Sequence, residues 1–274
     1  MQPDLSLIES ILWASNPFWP PYCFPQGEGS SQRRTYVSKA PDVTDFMFGH
    51  DRVQACSGQV THCSWNERFF LFSRHIGRLF ESASHFGFRF EQDTIISGLE
   101  STGERLCAKY CSDLIDSFTH QCKVRLVLSA SGRVTVDHMP ISPVDRLPVW
   151  FDISDCPSEQ KTPYPAHKTS LRRIFDMELK RATSQGLFDT VFIDRTGQVT
   201  EGTFTNVFVD MGDGILVTPP SNAGLLPGTL RAELLCRGLA IQAVVTLDML
   251  EKARRIYLGN SVRGLLPARL KKNR

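Results

Sequence analysis

"DTVFIDRTGQVTEGTFTNVFVDMGDGILVTPP", residues 189–220, reads as four short strands separated by turns. The apolar runs "DTVFID", "QVTEG", "TFTNVFVD" and "GILVTPP" are too short for helices, and "RTGQ" and "MGDG" between them carry turn chemistry. One residue breaks the pattern. Glu201 stands at a strand break between two apolar runs, as either a solvated hairpin carboxylate or a carboxylate held inside for chemistry.

Helices surround this block. Upstream, "YPAHKTSLRRIFDMELKRA" (164–182) sets Lys168 just before an amphipathic helix on which Leu171, Phe175, Leu179 and Ala182 recur every three or four residues. Downstream, "GLLPGTLRAELLCRGL" (224–239) enters a helix through Pro227 and Gly228. A strand "AIQAVVT", a helix "LDMLEKA" and a strand "RRIYLGN" follow.

Toward the N-terminus, "DLSLIESILW" (4–13) alternates as a strand, and residues 16–34 are rich in Pro, Gly and Ser. A short apolar strand is expected over Phe69–Phe72, then a helix with Ile76, Leu79, Phe80 and Ala83 on one stripe. A second helix, "ERLCAKYCSDLIDSF" (104–118), aligns Leu106, Tyr110, Leu114 and Phe118. "KVRLVLS" and "RVTVDHMPI" form a hairpin about "ASG". The expected division is a small N-terminal lobe over 1–142 with an irregular insertion at about 13–66, a proline-rich connector over 143–163, and a larger lobe over 164–274. Strands and helices mix without strict βαβ alternation, so the class is α+β.

Composition narrows the function. A net charge of +2 on 274 residues argues against a dedicated nucleic-acid or membrane-surface binder. No run approaches the eighteen or so apolar residues of a transmembrane helix, and "MQPDLSLIESILW" has no basic stretch of the secretory kind. A cytoplasmic protein is expected. The eight cysteines form no C-x-x-C pair and read as free thiols; His62 beside Cys63 lacks a second ligand pair, so no metal is expected.

Phosphate-loop, dinucleotide, nucleophile-elbow and H-E-x-x-H motifs are absent. Four other patterns remain: Arg78 in "HIGRL", Glu201 in "VTEGTFTN", the helix start after "LLPG", and the small-residue turn "GNSVRG". With Lys168 they supply what pyridoxal 5'-phosphate requires. That cofactor needs a lysine for its Schiff base, an acid beside the pyridine nitrogen, and a cradle of backbone N–H groups, an arginine and hydroxyls for its phosphate.

On "HKTSLRR", "VTEGTFTNVFV", "TPP" followed by "GLLPGTLRAELL", and "NSVRG", the chain resembles the fold-type IV pyridoxal-phosphate enzymes, the class IV aminotransferase family, across roughly residues 69–274. Within that family it is most like the 4-amino-4-deoxychorismate lyases. The resemblance implies a two-lobed, D-amino-acid-aminotransferase-like fold with the cofactor in the cleft between lobes, and a homodimer acting on a small amino substrate. It implies Lys168 as the Schiff-base lysine and Glu201 as the partner of the ring nitrogen. Arg78, the backbone N–H groups of Thr229 and Leu230, and Ser261 would hold the phosphate, with Arg172 near the cofactor's 3' oxygen.

Arg125 and Arg263 are candidates for a substrate carboxylate, and Ser10 for assisting proton transfer. The implied reaction yields 4-aminobenzoate and pyruvate, a folate-precursor step. Alternatives are an aminotransferase acting on D- or branched-chain amino acids or amines, and a non-catalytic binding protein of the same fold. The family's usual opening strand pair is missing, and the segment from Trp13 to Asn66 is far longer than the family's turn.

Overall fold

The computed structural model describes residues 5–15, 68–111, 120–212 and 214–271, so most of the 13–66 insertion lies outside the described residues. An antiparallel three-stranded sheet, in the order β1 (Ser6–Ala14), β2 (Gln121–Ser129), β3 (Val134–Pro140), underlies the N-terminal lobe. Two helices, α1 (Phe72–Phe86) and α2 (Gln92–Tyr110), cover one face of it.

Strand alternation decides what each face does. On β2, Cys122, Val124, Leu126 and Leu128 point into the core with Ile95, Leu99 and Leu106 of α2. Each such side chain contributes roughly 1.5–3 kcal/mol by leaving water. Lys123 and Arg125 therefore fall on the opposite face. On β1, Leu7, Ile11 and Trp13 enter the same core, and Glu9 shares their parity, which turns it toward α1. Ile8 and Ser10 face the other way, into the cleft between lobes.

The second sheet runs β10 (Arg255–Asn260), β11 (Gly264–Leu270), β4 (Val149–Ile153), β5 (Asp189–Ile193), β6 (Val199–Gly202), β7 (Asn206–Asp210), β8 (Leu216–Thr218), β9 (Ala240–Gln242). A further β10–β7 pairing closes it on itself around Val191, Val199, Val207, Val209 and Leu258. Three helices, α3 (Arg173–Ser184), α4 (Thr229–Cys236) and α5 (Leu247–Lys252), accompany it. Two βαβ units, β4–α3–β5 and β8–α4–β9, sit in a sheet whose other pairings are mostly antiparallel, so βαβ alternation is not continuous and the class is the α+β that the sequence implies.

Several expectations need correction. The strand over Phe69–Phe72 is a single bridge from Phe69 to Trp13, because Leu71 adopts φ 54° and turns the chain into α1 at Phe72. The second helix begins twelve residues earlier than 104, at Gln92, since Ile95 and Leu99 extend the Leu106 stripe; Leu114 and Phe118 lie outside the described residues. The segment 143–163 supplies β4, which pairs in parallel with β11 and β5. β11 carries Pro267, a residue that argues against a strand interior.

Among the described residues, no helix is long and apolar enough to cross a membrane and no cluster suits a metal. Cys107, Cys111, Cys122, Cys156 and Cys236 are free thiols.

Candidate active site

A cleft of about 420 Å³ opens between the two sheets. Of the residues singled out from sequence, Lys168, Glu201, Arg78, Arg172, Thr229, Ser261, Ser10, Arg125 and Arg263 all line it. Leu230 does not: its side chain is fully buried against Phe208, Leu234 and Tyr257, leaving only its backbone as a candidate contact.

Lys168 is positioned by β1. The Ile8 N–H donates to the Lys168 carbonyl at 2.8 Å, and the Ser170 N–H donates to Ser6 at 2.8 Å. The segment 168–170 thus runs along the free edge of β1, and α3 begins only at Arg173. Burial, followed by the charges of Arg172 and Arg78, pulls the Lys168 ammonium down to about 7, while Glu9 and Glu201 oppose the shift. A lysine with that value is substantially unprotonated, and so nucleophilic, at neutral pH.

Glu201 is the third residue of β6 and is buried. Its Oε2 accepts the Leu226 N–H at 3.0 Å. Its Oε1 has Lys161 Nζ at 3.2 Å, an ion-pair contact whose angle falls short of a hydrogen bond, so Oε1 keeps an open acceptor direction. Burial pushes the Glu201 carboxyl above its ordinary value, and the charge of Lys161 and the Leu226 N–H pull it back.

The turn after Glu201 is fixed by a second buried acid. Asp189 accepts the Thr203 N–H at 2.9 Å and the hydroxyls of Thr203 and Thr205 at 2.5 and 2.6 Å. A Cβ at Gly202 would lie 2.3 Å from Asp189 Oδ2, so only glycine lets the turn wrap this carboxylate. Burial raises Asp189 to about 6 despite those donors. The Thr203 carbonyl accepts from Arg172 Nη2 at 2.6 Å, which seats that guanidinium across the cleft floor.

Arg78 is less free than sequence suggested. It donates through Nε and Nη2 to Glu9 at 2.9 and 2.6 Å, and through Nη1 to the Pro227 carbonyl at 3.3 Å. His75, one turn earlier on α1, places Nδ1 2.7 Å from Glu9 and Nε2 3.2 Å from the Thr229 hydroxyl. Burial holds His75 below its ordinary value against the pull of Glu9. A neutral His75 then carries its proton on Nδ1, because an ionised Glu9 only accepts, and Nε2 accepts from Thr229. The α4 start has Gly228 as its N-cap with no side-chain cap, so the first-turn N–H groups beside Thr229 have no side-chain partner.

Glu9 and His75 went unread in the sequence, although a lone carboxylate inside the apolar "LIESIL" is a signal. Burial alone would raise Glu9; the charge of Arg78 and the bonds from His75 bring it down to about 2 instead. A carboxyl whose folded value lies below its ordinary 4.5 stabilises the fold fully above about pH 4.5 and loses that contribution as pH falls toward 2. Glu9→Gln is therefore expected to remove about 3 kcal/mol near neutrality. Urea unfolding from pH 7 to 2 should show the wild-type advantage fading between pH 4.5 and 2; a difference independent of pH would contradict the pairing.

These groups fit pyridoxal phosphate: a half-buried, cleft-lining amine of lowered basicity, a buried carboxylate oxygen with an open acceptor position, an uncapped helix start, and hydroxyls at Thr229 and Ser261. The comparisons with known proteins agree. Residues 61–270 match the amino-transferase class IV family. Over 205 residues the chain is 27% identical to a protein assigned as an aminodeoxychorismate lyase in Schizosaccharomyces pombe, covering 73% of this chain and 83% of that one. Over 163 residues it is 34% identical to a protein assigned as a branched-chain-amino-acid aminotransferase in Thermotoga maritima, 56% of this chain and 58% of that one. A crystal structure assigned as an amino-acid aminotransferase from Mesorhizobium loti superposes with a TM-score of 0.67 at 27% identity, over 98% of this chain and 100% of that one. The family match spans most of the sequence, and the chain belongs to the class IV aminotransferases, which are pyridoxal-phosphate-dependent enzymes.

Proposed function

We propose that this chain is a 4-amino-4-deoxychorismate lyase, forming 4-aminobenzoate and pyruvate. The observation that carries the reading is the charge of the cleft wall. Lys123, Arg125, Arg172 and Arg263 all line the cavity, and none is ion-paired to a carboxylate among the described residues. Burial, and after it the charges of Arg125, Arg263 and Arg172, lower the basicity of Lys123. Asp176 and Glu201 also line the cleft and act on Arg172 from beyond ion-pair distance, but four cations against these two carboxylates leave an excess of positive charge that suits an anionic ligand. The lyase substrate brings two carboxylates, whereas a branched-chain amino acid brings one and an aliphatic side chain that these cations would not solvate. The 27% identity to the lyase-assigned relative points the same way.

Bound pyridoxal phosphate supplies an electron sink for the bond-breaking step. Lys168 would hold it covalently through Nζ, Glu201 Oε1 would face its ring nitrogen, and Arg78, Thr229, Ser261 and the α4 start would take the phosphate. Lys168 Nζ would also take the proton from the carbon bearing the substrate amine. The bond from the neighbouring ring carbon to the enolpyruvyl oxygen then breaks, the ring becomes aromatic, and the leaving enol takes up one proton at its methylene carbon. The products together have the substrate's atoms, so no water or redox partner is consumed. Phe175, Phe188 and Phe204 wall the cleft and limit the water that reaches Nζ.

The test is a product assay: purified protein with aminodeoxychorismate, and separately with an apolar amino acid plus a 2-oxo acid. The lyase reading expects 4-aminobenzoate and slow transamination. Rapid transamination with no 4-aminobenzoate would reject it. Arg263→Ala should lower kcat/KM for the lyase substrate on the order of tenfold or more, the worth of one charge-assisted contact; Arg263 is anchored by Nη1 to the Ser142 carbonyl at 2.5 Å, so an unchanged kcat/KM would assign it to that structural contact alone.

A further inference from the structure

Two lysines flank Glu201, and only Lys168 has been given a role. Lys161 follows the short 3-10 turn Ser158–Gln160, and its side chain is fully buried. Its ammonium donates to the Gly224 carbonyl at 2.6 Å and the Thr200 hydroxyl at 3.2 Å, and lies 3.2 Å from Glu201 Oε1 as an ion pair. The Phe192 ring lies 5.8 Å away on the protein side. Unlike Lys168, Lys161 does not line the cleft, so no substrate or cofactor reaches it.

A fully buried ammonium is costly unless it is paired, and here the carbonyl and hydroxyl already anchor it. What the third contact does is the question. Thr200 and Glu201 are adjacent on β6, so their side chains leave opposite faces of the strand. Lys161 contacts both, with Gly224 fixing its head from the segment that leads to α4. The other cations near Glu201 are Lys168, Arg172 and Arg231, none in contact with it.

We propose that Lys161 is a positioning residue that keeps Glu201 an ionised carboxylate with Oε1 turned into the cleft. A neutral Glu201 could not stabilise a protonated ring nitrogen, and the electron sink would be weaker. Burial drives Glu201 toward the neutral form, and the charge of Lys161 is the largest influence opposing it. The inference rests on the proposed role of Glu201 toward the cofactor, but its central claim concerns the cofactor-free chain and can be read there.

The experiment measures the Glu201 carboxyl band by difference infrared spectroscopy on the full-length cofactor-free protein, with Glu201→Gln as the subtraction reference. Wild type should show an ionised carboxylate at pH 7. Lys161→Met should show the protonated carbonyl stretch at pH 7, converting to carboxylate only at higher pH. Lys161→Gln keeps N–H donors for Gly224 and Thr200 without the charge, so it serves if the methionine variant does not fold, and it should behave alike. In the loaded enzyme either variant should lose kcat on the order of tenfold or more with KM little changed. A Glu201 that stays ionised at pH 7 without the Lys161 charge, or one already protonated in wild type, would overturn the proposal. Full activity in Glu201→Gln would instead overturn the cofactor role of Glu201 and leave the infrared result standing.

Discussion

Lys168→Ala is expected to lose turnover by on the order of a thousandfold or more, because one Nζ serves as both the covalent anchor and the proton acceptor. The same position should show an opposite effect on stability. Its ammonium is held at about 7 in the folded chain, against an ordinary 10.5. Between those values the unfolded chain carries a proton that the folded chain has released, so folding stability rises with pH from about 7 to 10.5. At and below pH 7 the native state bears the full cost of enclosing this amine. Lys168→Met, which keeps the volume and removes the charge, should therefore stabilise the cofactor-free protein at pH 7 by roughly 3–5 kcal/mol, the gain fading toward pH 10.5. Chemical denaturation at pH 7 and pH 10 measures both numbers. A destabilised methionine variant at pH 7 would mean that Lys168 is not the enclosed, weakly basic group described here.

Glu201→Gln is expected to cut kcat by on the order of a hundredfold while leaving cofactor retained, since the amide cannot balance a charged ring nitrogen but the phosphate cradle is untouched. The amide oxygen can still accept the Leu226 N–H now received by Oε2 at 3.0 Å. Lys161, however, is left buried beside a neutral group, so the variant should also be less stable. Pairing Glu201→Gln with Lys161→Met separates the two effects: stability should recover partly, and kcat should not. Near-wild-type turnover in Glu201→Gln would refute the charge pairing.

The fold was legible where side chains alternate or repeat cleanly. The β2–β3 hairpin follows from alternation about a turn and the 189–220 strands from short apolar runs bounded by turn residues, and all are present. Boundaries set by backbone geometry were not legible: nothing in Leu71 announces its left-handed turn, and Pro267 conceals β11. At the site, Glu201 stands out because it interrupts an apolar neighbourhood, and Lys168 because it stands just before an amphipathic helix in "HKTSLRR". His75 and Lys161 are ordinary in sequence, and Glu9 signals only a carboxylate inside an apolar run; all three acquire their parts through partners 39 to 154 residues away. Lys123 lay in between, since strand parity already puts it on the Arg125 face. What sequence cannot supply is which charges meet.

The most direct test of the account is to label the reactive lysine. Purified protein loaded with pyridoxal phosphate is reduced with borohydride, digested, and its pyridoxyl-bearing peptide sequenced. The account predicts the label on Lys168, in the peptide containing "HKTS". A label on Lys161, the buried lysine paired with Glu201, would contradict it.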